Sequence, residues 1–104
     1  MKINILGYEW ELEIQDDKLF SNFSGICNYE NHTICISTKS LNMFSDTLHE
    51  IAHAHIHIAG TPIPNELEEF CILFQTIIDR LVDLNGDDVL MVIRKWCDNG
   101  GEDA

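Results

Sequence analysis

Residues 47–53 read Thr-Leu-His-Glu-Ile-Ala-His and contain the motif HExxH. Apolar residues in and around this stretch recur at helical spacing, so the motif is predicted to lie on a helix. His49 and His53 are four residues apart, which places both imidazoles on one face of that helix, one turn apart. Both rings can then reach one tetrahedral zinc ion at about 2.0–2.1 Å, and the pattern predicts a metal site.

The acidic residue of the motif has a different predicted role. Glu50 is rotated by about 100° from His49 around the helix axis, so it can hold a zinc-bound water without binding the metal itself. Zinc lowers the pKa of that water, and the glutamate can take its proton and pass it to a leaving amine. A chance match to HExxH is expected in well under about one in twenty chains of this length. Glu50 is therefore the predicted general base of a hydrolase.

The other histidines do not extend the motif. His57 follows His49 by eight residues, which separates them by about 12 Å along a straight helix. The extended motif HExxHxxGxxH has a glycine where this chain has Ile56, so a site with three histidines is not predicted. His55 and His57 are predicted to be surface or supporting groups, and His32 to be a turn residue.

A third zinc ligand is still needed, because a catalytic zinc usually has three protein ligands and a water molecule. The next predicted helix begins with acidic residues and returns the chain alongside the first, so it can supply a glutamate. Glu66 lies nearest the apolar stripe of that helix, whereas Glu68 also fits a capping box with Asn65. The residues themselves leave three candidates: Glu66, Glu68 and Glu69.

The spacing of apolar residues changes at about residue 40, from the alternation typical of strands to the spacing typical of helices. Residues 8–14 alternate apolar and acidic side chains, which predicts a half-buried strand. Shorter strands are predicted at 3–6, 25–29 and 33–37, and helices at 41–59, 65–84 and 87–97. The predicted class is α+β, with an antiparallel sheet of about three to four short strands packed on the HExxH helix and the long helix after it. Residues 1–104 are predicted to form one domain with a loose tail at 98–104.

The composition argues against several classes of function and location. The formal net charge is -12 and only six residues are Lys or Arg, which argues against nucleic-acid binding. No apolar run approaches the roughly 18 residues that cross a bilayer, and the N-terminus does not resemble a signal peptide, so a cytoplasmic location is expected. The spacing of the four cysteines matches neither a zinc ribbon nor a redox motif. We expect three of them to be small buried residues: Cys27, Cys35 and Cys71.

Residues 47–53 resemble the core of small phage and prophage proteins related to the ImmA/IrrE metallopeptidases, which are similar in architecture to the minigluzincins. The pair Ala59-Gly60 at the helix end and the strand 33–37 before the helix also resemble this group. The resemblance covers roughly residues 3–85 and implies a minimal gluzincin fold with Zn²⁺ and Glu68 as the third ligand. It departs from many gluzincins at Ile72, where these have an Asp or Asn. It further implies cleavage of a polypeptide, such as a repressor, held by strand addition beside residues 33–37.

Two other functions remain open. The chain is alternatively an acidic phage accessory protein that binds a basic partner and uses an inactive peptidase-like fold as its scaffold. A bound zinc could also be purely structural. For the enzyme, a further hypothesis places the thiolate or carboxylate of segment 96–98 on the open position of the zinc. The sequence does not determine an oligomeric state.

Overall fold

A computed structural model describes residues 1–16, 24–64 and 66–102. Within these residues four strands precede three helices, and the predicted α+β class is confirmed. The strands are β1 (Lys2–Ile5), β2 (Tyr8–Gln15), β3 (Gly25–Asn28) and β4 (Thr33–Ser37). The helices are α1 (Met43–Ala59), α2 (Leu67–Asn85) and α3 (Val89–Asp98). None of the helices in the described ranges is both long and apolar enough to cross a membrane.

The four strands form one sheet in the order β1-β2-β4-β3. The pairs β1–β2 and β3–β4 are antiparallel, but β2 and β4 are parallel, with Glu11 opposite Thr33 and Gln15 opposite Ser37. The prediction of a purely antiparallel sheet is therefore wrong, and the sheet is mixed. The sheet is mixed because β4, whose Ile34 and Ile36 are completely buried, lies in the interior of the sheet next to β2. The β3–β4 hairpin then leaves β3 at the edge and makes β4 parallel to β2.

The ends of α1 agree with the local sequence. The side-chain Oδ1 of Asn42 accepts a hydrogen bond from the backbone N–H of Ser45 at 3.0 Å and caps the N-terminus. Gly60 follows the last turn with φ 65°, the left-handed conformation that glycine adopts without a steric penalty. The predicted helix end at Gly60 is confirmed.

One face of α1 packs on the sheet. Thr47, Ile51 and Ala54 lie on this face and are almost completely inaccessible to solvent. They belong to or adjoin a core built from alternate residues of the strands and the buried side of α3: Ile3, Ile5, Trp10, Leu12, Ile34, Ile36, Ile93 and Trp96. Packing of this face fixes the rotation of α1, and His49 and His53 face solvent.

The C-terminal half of α2 is anchored to β1. Leu81 is 3% exposed, and the side chain of Asn85 accepts a hydrogen bond from the N–H of Asn4 and donates one to its carbonyl, both at 2.7 Å. In contrast, residues 67–72 at the start of α2 are all exposed. The helix therefore contacts the rest of the fold mainly through its second half.

The chain remains part of the packed fold beyond residue 98. The N–H of Gly101 donates to the carbonyl of Trp96 at 2.8 Å. A Cβ at Gly101 would lie 2.9 Å from side-chain atoms of Ile14, so this turn lies tightly against β2. The last two residues of the predicted loose tail, 103–104, lie outside the described residues.

Candidate metal and catalytic site

The two histidines of the motif face each other on the exposed side of α1. Their Nε2 atoms are 3.0 Å apart, and their ring centroids are 4.7 Å apart with an interplanar angle of 74°. Two imidazole nitrogens bound to one tetrahedral zinc at its usual bond lengths are about 3.3–3.4 Å apart. His49 and His53 thus differ from a zinc-binding pair by a few tenths of an ångström, and they fit two positions of a metal site.

The side chain of Glu50 on α1 is half-buried and lies against Gly25, the first residue of β3. A Cβ at Gly25 would lie 2.9 Å from Cγ of Glu50 and 3.2 Å from its Oε1, so the close approach requires a glycine. Burial raises the pKa of the Glu50 carboxyl, and the neighbouring imidazoles of His53 and His49 oppose that rise. A carboxylate with a raised pKa is a better proton acceptor, which suits the predicted general base. A lone glycine at the start of a strand was the sequence signal for this contact.

Cys27 and Tyr29 follow Gly25 along the same side of α1. Burial, and then the charge of Glu50, raise the pKa of the Cys27 thiol to about 12, and a hydrogen bond with Tyr29 partly offsets this rise. The thiol therefore stays protonated at neutral pH and is a poor nucleophile. The Tyr29 ring stacks on His57, with centroids 4.0 Å apart. Neither residue was predicted to take part in the site, because Cys27 is 23 residues from Glu50 and Tyr29 is 28 residues from His57.

The third ligand is not brought to the histidine pair. Within the described ranges there is no group of three or more His, Cys, Asp or Glu side chains that could hold a metal ion. All three candidate glutamates are exposed at the start of α2: Glu66, Glu68 and Glu69. Glu66 is the N-cap residue of α2 and makes no side-chain capping hydrogen bond. Asn65, the other half of the proposed capping box, lies outside the described residues, and the assignment of Glu68 stays a prediction.

His55 was predicted to be a surface or supporting group, and the first of these alternatives is wrong. It is 4% exposed, and neither ring nitrogen has a hydrogen-bond partner among the described residues. Burial, and then the positive charge of Arg80 on α2, lower the pKa of its imidazole. His55 is two residues from His53, and successive helical residues are about 100° apart, so it points away from the metal-binding face.

The cysteines are free, and their burial varies. Cys27 and Cys35 are partly buried, whereas Cys71 is exposed, so the prediction of a buried Cys71 is wrong. The reason is that the first turns of α2, which carry it, are not covered by other parts of the described chain. Cys97 is buried, with its Sγ 3.6 Å from Oγ1 of Thr47 on the core side of α1. Its thiol is therefore directed into the core, which removes it from the hypothesis of a self-inhibiting segment 96–98.

The predicted place for strand addition is also wrong. β4 has β2 on one side and β3 on the other, so its backbone groups are already paired. Among the described strands, β3 has a neighbour on one side only, and it is the strand that runs beside Glu50. The edge next to the site therefore belongs to β3.

Comparisons of this chain with known protein families, with curated proteins and with solved structures found no match.

Proposed function

We propose that this protein is a zinc-dependent metallopeptidase, an endopeptidase that hydrolyses a bond within a polypeptide. The observation that carries the proposal is the pair of Nε2 atoms 3.0 Å apart on one helix face, with the carboxyl of Glu50 beside them. His49 and His53 would hold the zinc together with Glu68. Zinc, when bound, supplies a Lewis acid to the reaction.

The role of Glu50 follows from its surroundings. Its carboxyl is half-buried, its pKa is raised by burial, and the backbone at Gly25 restricts where its side chain can lie. Such a group accepts a proton from the attacking water and donates it to the leaving amine. Glu50 is the one catalytic residue in this proposal.

The polypeptide substrate would bind along the free edge of β3. An extended segment paired with this edge gains backbone hydrogen bonds and passes alongside α1. Resemblance to the ImmA/IrrE group favours a regulatory protein of a phage or mobile element as the substrate. The four free thiols fit a reducing compartment, and we place the enzyme in the cytoplasm.

The test compares the parent protein with Glu50→Gln on a mixture-based library of internally quenched peptides, after reconstitution with zinc. Glu50→Gln keeps the size of the side chain but cannot accept the proton. We expect the variant to retain zinc and to lose peptide hydrolysis by about 10²-fold or more. Equal hydrolysis by both proteins would overturn the assignment of Glu50.

A second candidate function is supported by a separate observation. The start of α2 exposes large apolar side chains, among them Leu67 at 78% and Ile72 at 61%, on a chain of net charge -12. Such a surface favours an accessory protein that binds a basic, partly apolar partner. This function predicts partner binding that survives Glu50→Gln. Cleavage of a peptide bond that depends on Glu50 would exclude an inactive scaffold.

A further inference from the structure

A second concave surface lies one turn beyond the histidine pair. It is a cavity of about 290 Å³ at the junction of β2, the β3–β4 turn and the last turn of α1. We call its lining the aromatic box, which among the described residues consists of Tyr8, Trp10, Tyr29, His32, His57 and Ile58.

The rings of the aromatic box form a floor and two sides. His32 stacks on Trp10, with centroids 4.8 Å apart and an angle of 13°, and this pair is the floor. Tyr8 stands at 82° to His32, and Tyr29 stands at 80° to Trp10. Stacking of His57 on Tyr29 extends the second side. Aromatic rings therefore line the floor and two sides of the cavity.

Most rings of the aromatic box are not part of the hydrophobic core. Trp10 is 1% exposed and is the core residue of the group, whereas Tyr8 remains 51% exposed and Tyr29 38% exposed. The turn that carries Tyr29 and His32 is held by Asn28. Its side-chain Oδ1 accepts hydrogen bonds from the backbone N–H groups of Glu30 and Asn31, each at 3.1 Å. His32 has φ 51°, a left-handed conformation within that turn. The box is thus positioned by local structure and is open to solvent.

The chemistry of the lining selects an organic cation. The face of an aromatic ring carries partial negative charge and attracts ammonium and guanidinium groups. None of the six residues that line the cavity is Lys, Arg, Asp or Glu, so the rings themselves supply the recognition. The net charge of -12 raises the local concentration of cations around the protein.

The position of the box relative to Glu50 suggests where the cation comes from. β3 begins at Gly25 against Glu50, and Tyr29, just after β3, stacks on His57. Seven residues of helix separate Glu50 from His57, which is about 10 Å. An extended chain covers this distance in about three residues.

We propose that the aromatic box binds the basic side chain, Arg or Lys, of a polypeptide substrate, about three residues from the bond that is cut. This inference rests on the proposed peptidase function for the identity of the chain that carries the cation. The binding of the cation itself depends on neither zinc nor Glu50.

The first test uses the intact parent protein without zinc and four small probes. N-acetylarginine amide, its neutral near-isostere N-acetylcitrulline amide, N-acetylphenylalanine amide and tetramethylammonium are titrated while NMR follows the indole N–H of Trp10. We expect the arginine probe to bind about fivefold more tightly than the citrulline probe. Equal binding of these two, tighter binding of the phenylalanine probe, or no saturable shift at the highest soluble concentration would overturn the proposal. Tighter binding of tetramethylammonium would overturn the side-chain assignment in favour of a free ammonium compound.

The second test removes one side of the box. Tyr8→Leu is expected to weaken binding of the arginine probe by about fivefold, and Tyr8→Phe, which keeps the ring, to change it by less than about twofold. Tyr8 is half-exposed, so both variants are expected to fold, which thermal unfolding checks. Unchanged binding in Tyr8→Leu, or equal loss in both variants, would contradict a role for the ring face.

A third measurement separates failure of this inference from failure of the proposed function. Tight arginine binding by a protein that takes up no zinc would support the box and overturn the peptidase. Glu50-dependent cleavage of arginine and citrulline versions of one peptide at equal kcat/KM would support the peptidase and overturn the box.

Discussion

The two halves of α2 have similar apolar content but different surroundings. In the second half Ile77 and Leu81 are each 3% exposed, and Asn85 binds the backbone of β1 through two hydrogen bonds. In the first half Leu67 and Phe70, which lie on the same apolar stripe, are 78% and 46% exposed. The same helical period continues through both halves, so the difference arises from tertiary contacts and not from local sequence.

The difference also divides the candidate metal site, because α1 carries the motif residues and the exposed half of α2 carries the candidate third ligand. α1 is fixed by its core face, and the motif residues on it are held in a definite arrangement. The candidate ligand Glu68 lies on the half of α2 that has few contacts. For Glu68 to join His49 and His53, the first turns of α2 must approach α1 more closely. Few buried contacts oppose such a movement.

The largest expected effect tests the two halves directly by truncation of matched leucines on α2. Leu81→Ala removes a buried side chain and is expected to lower the free energy of unfolding by about 2–5 kcal/mol. Leu67→Ala removes a side chain that is 78% exposed and is expected to change it by less than about 0.5 kcal/mol. Urea denaturation of the zinc-free proteins measures both. Similar losses would mean that the first turns of α2 are packed in solution.

The next effect concerns the third ligand. We expect Glu68→Gln to lower zinc affinity by about 100-fold or more, since loss of even an outer-shell partner of a zinc ligand costs 10–100-fold. Competition with a chromophoric chelator measures the affinity. Glu66→Gln and Glu69→Gln are the matched controls, because they remove the same charge from the same turn. A large loss in one of these, with Glu68→Gln unchanged, would move the ligand to that position.

A smaller effect is expected where β3 contacts Glu50. The Cβ added by Gly25→Ala would lie 2.9 Å from Cγ of Glu50, so the carboxyl has to shift. Misplacement of a catalytic group by about an ångström can cost up to 10²-fold in rate, and we expect a loss of about tenfold in kcat/KM. Zinc content should remain that of the parent, because the atoms nearest to the added Cβ belong to Glu50 and Ile36 and not to the histidines. Full activity in Gly25→Ala would show that the close approach does not position the base.

The smallest effect concerns His55, which packs away from the metal-binding face. Because burial and Arg80 lower the pKa of His55 in the folded state, the unfolded chain takes up a proton first as the pH falls through about 6.5. The contribution of neutral His55 is fully present above that pH and is lost progressively below it.

The matched variant is His55→Leu, which also removes two ring nitrogens that have no hydrogen-bond partner in the part of the chain that the structure describes. We expect its advantage in unfolding free energy over the parent to grow as the pH falls from about 7.5 to about 5.5. Urea denaturation at both pH values in the presence of a chelator measures the difference, and the other histidines are common to both proteins. A constant difference would show that the pKa of His55 is not lowered.

Much of this fold follows from local sequence. The alternation in residues 8–14 predicts β2, and the turn residues around Gly60 predict the end of α1, because both depend on near neighbours. The parallel pairing of β2 with β4 was not predictable in the same way. It depends on which strand of the β3–β4 hairpin enters the interior of the sheet, and thus on contacts between distant residues.

The candidate site shows the same division. The facing arrangement of His49 and His53 follows from a four-residue spacing on one helix. The aromatic box joins Tyr8, Tyr29 and His57, which are 21 and 28 residues apart in the chain, and no single stretch of sequence indicates it. Glu68 is the intermediate case, since its position depends on how the start of α2 packs.

The most direct test of the metal site is the zinc content per chain of the untagged protein, measured by elemental analysis after reconstitution and removal of excess metal. His53→Ala removes one imidazole of the facing pair, and His57→Ala is the control, since it removes an exposed histidine one turn farther along α1. The site predicts about one zinc in the parent and in His57→Ala, and little in His53→Ala. No zinc in the parent, or equal zinc in all three proteins, would contradict a metal site at His49 and His53.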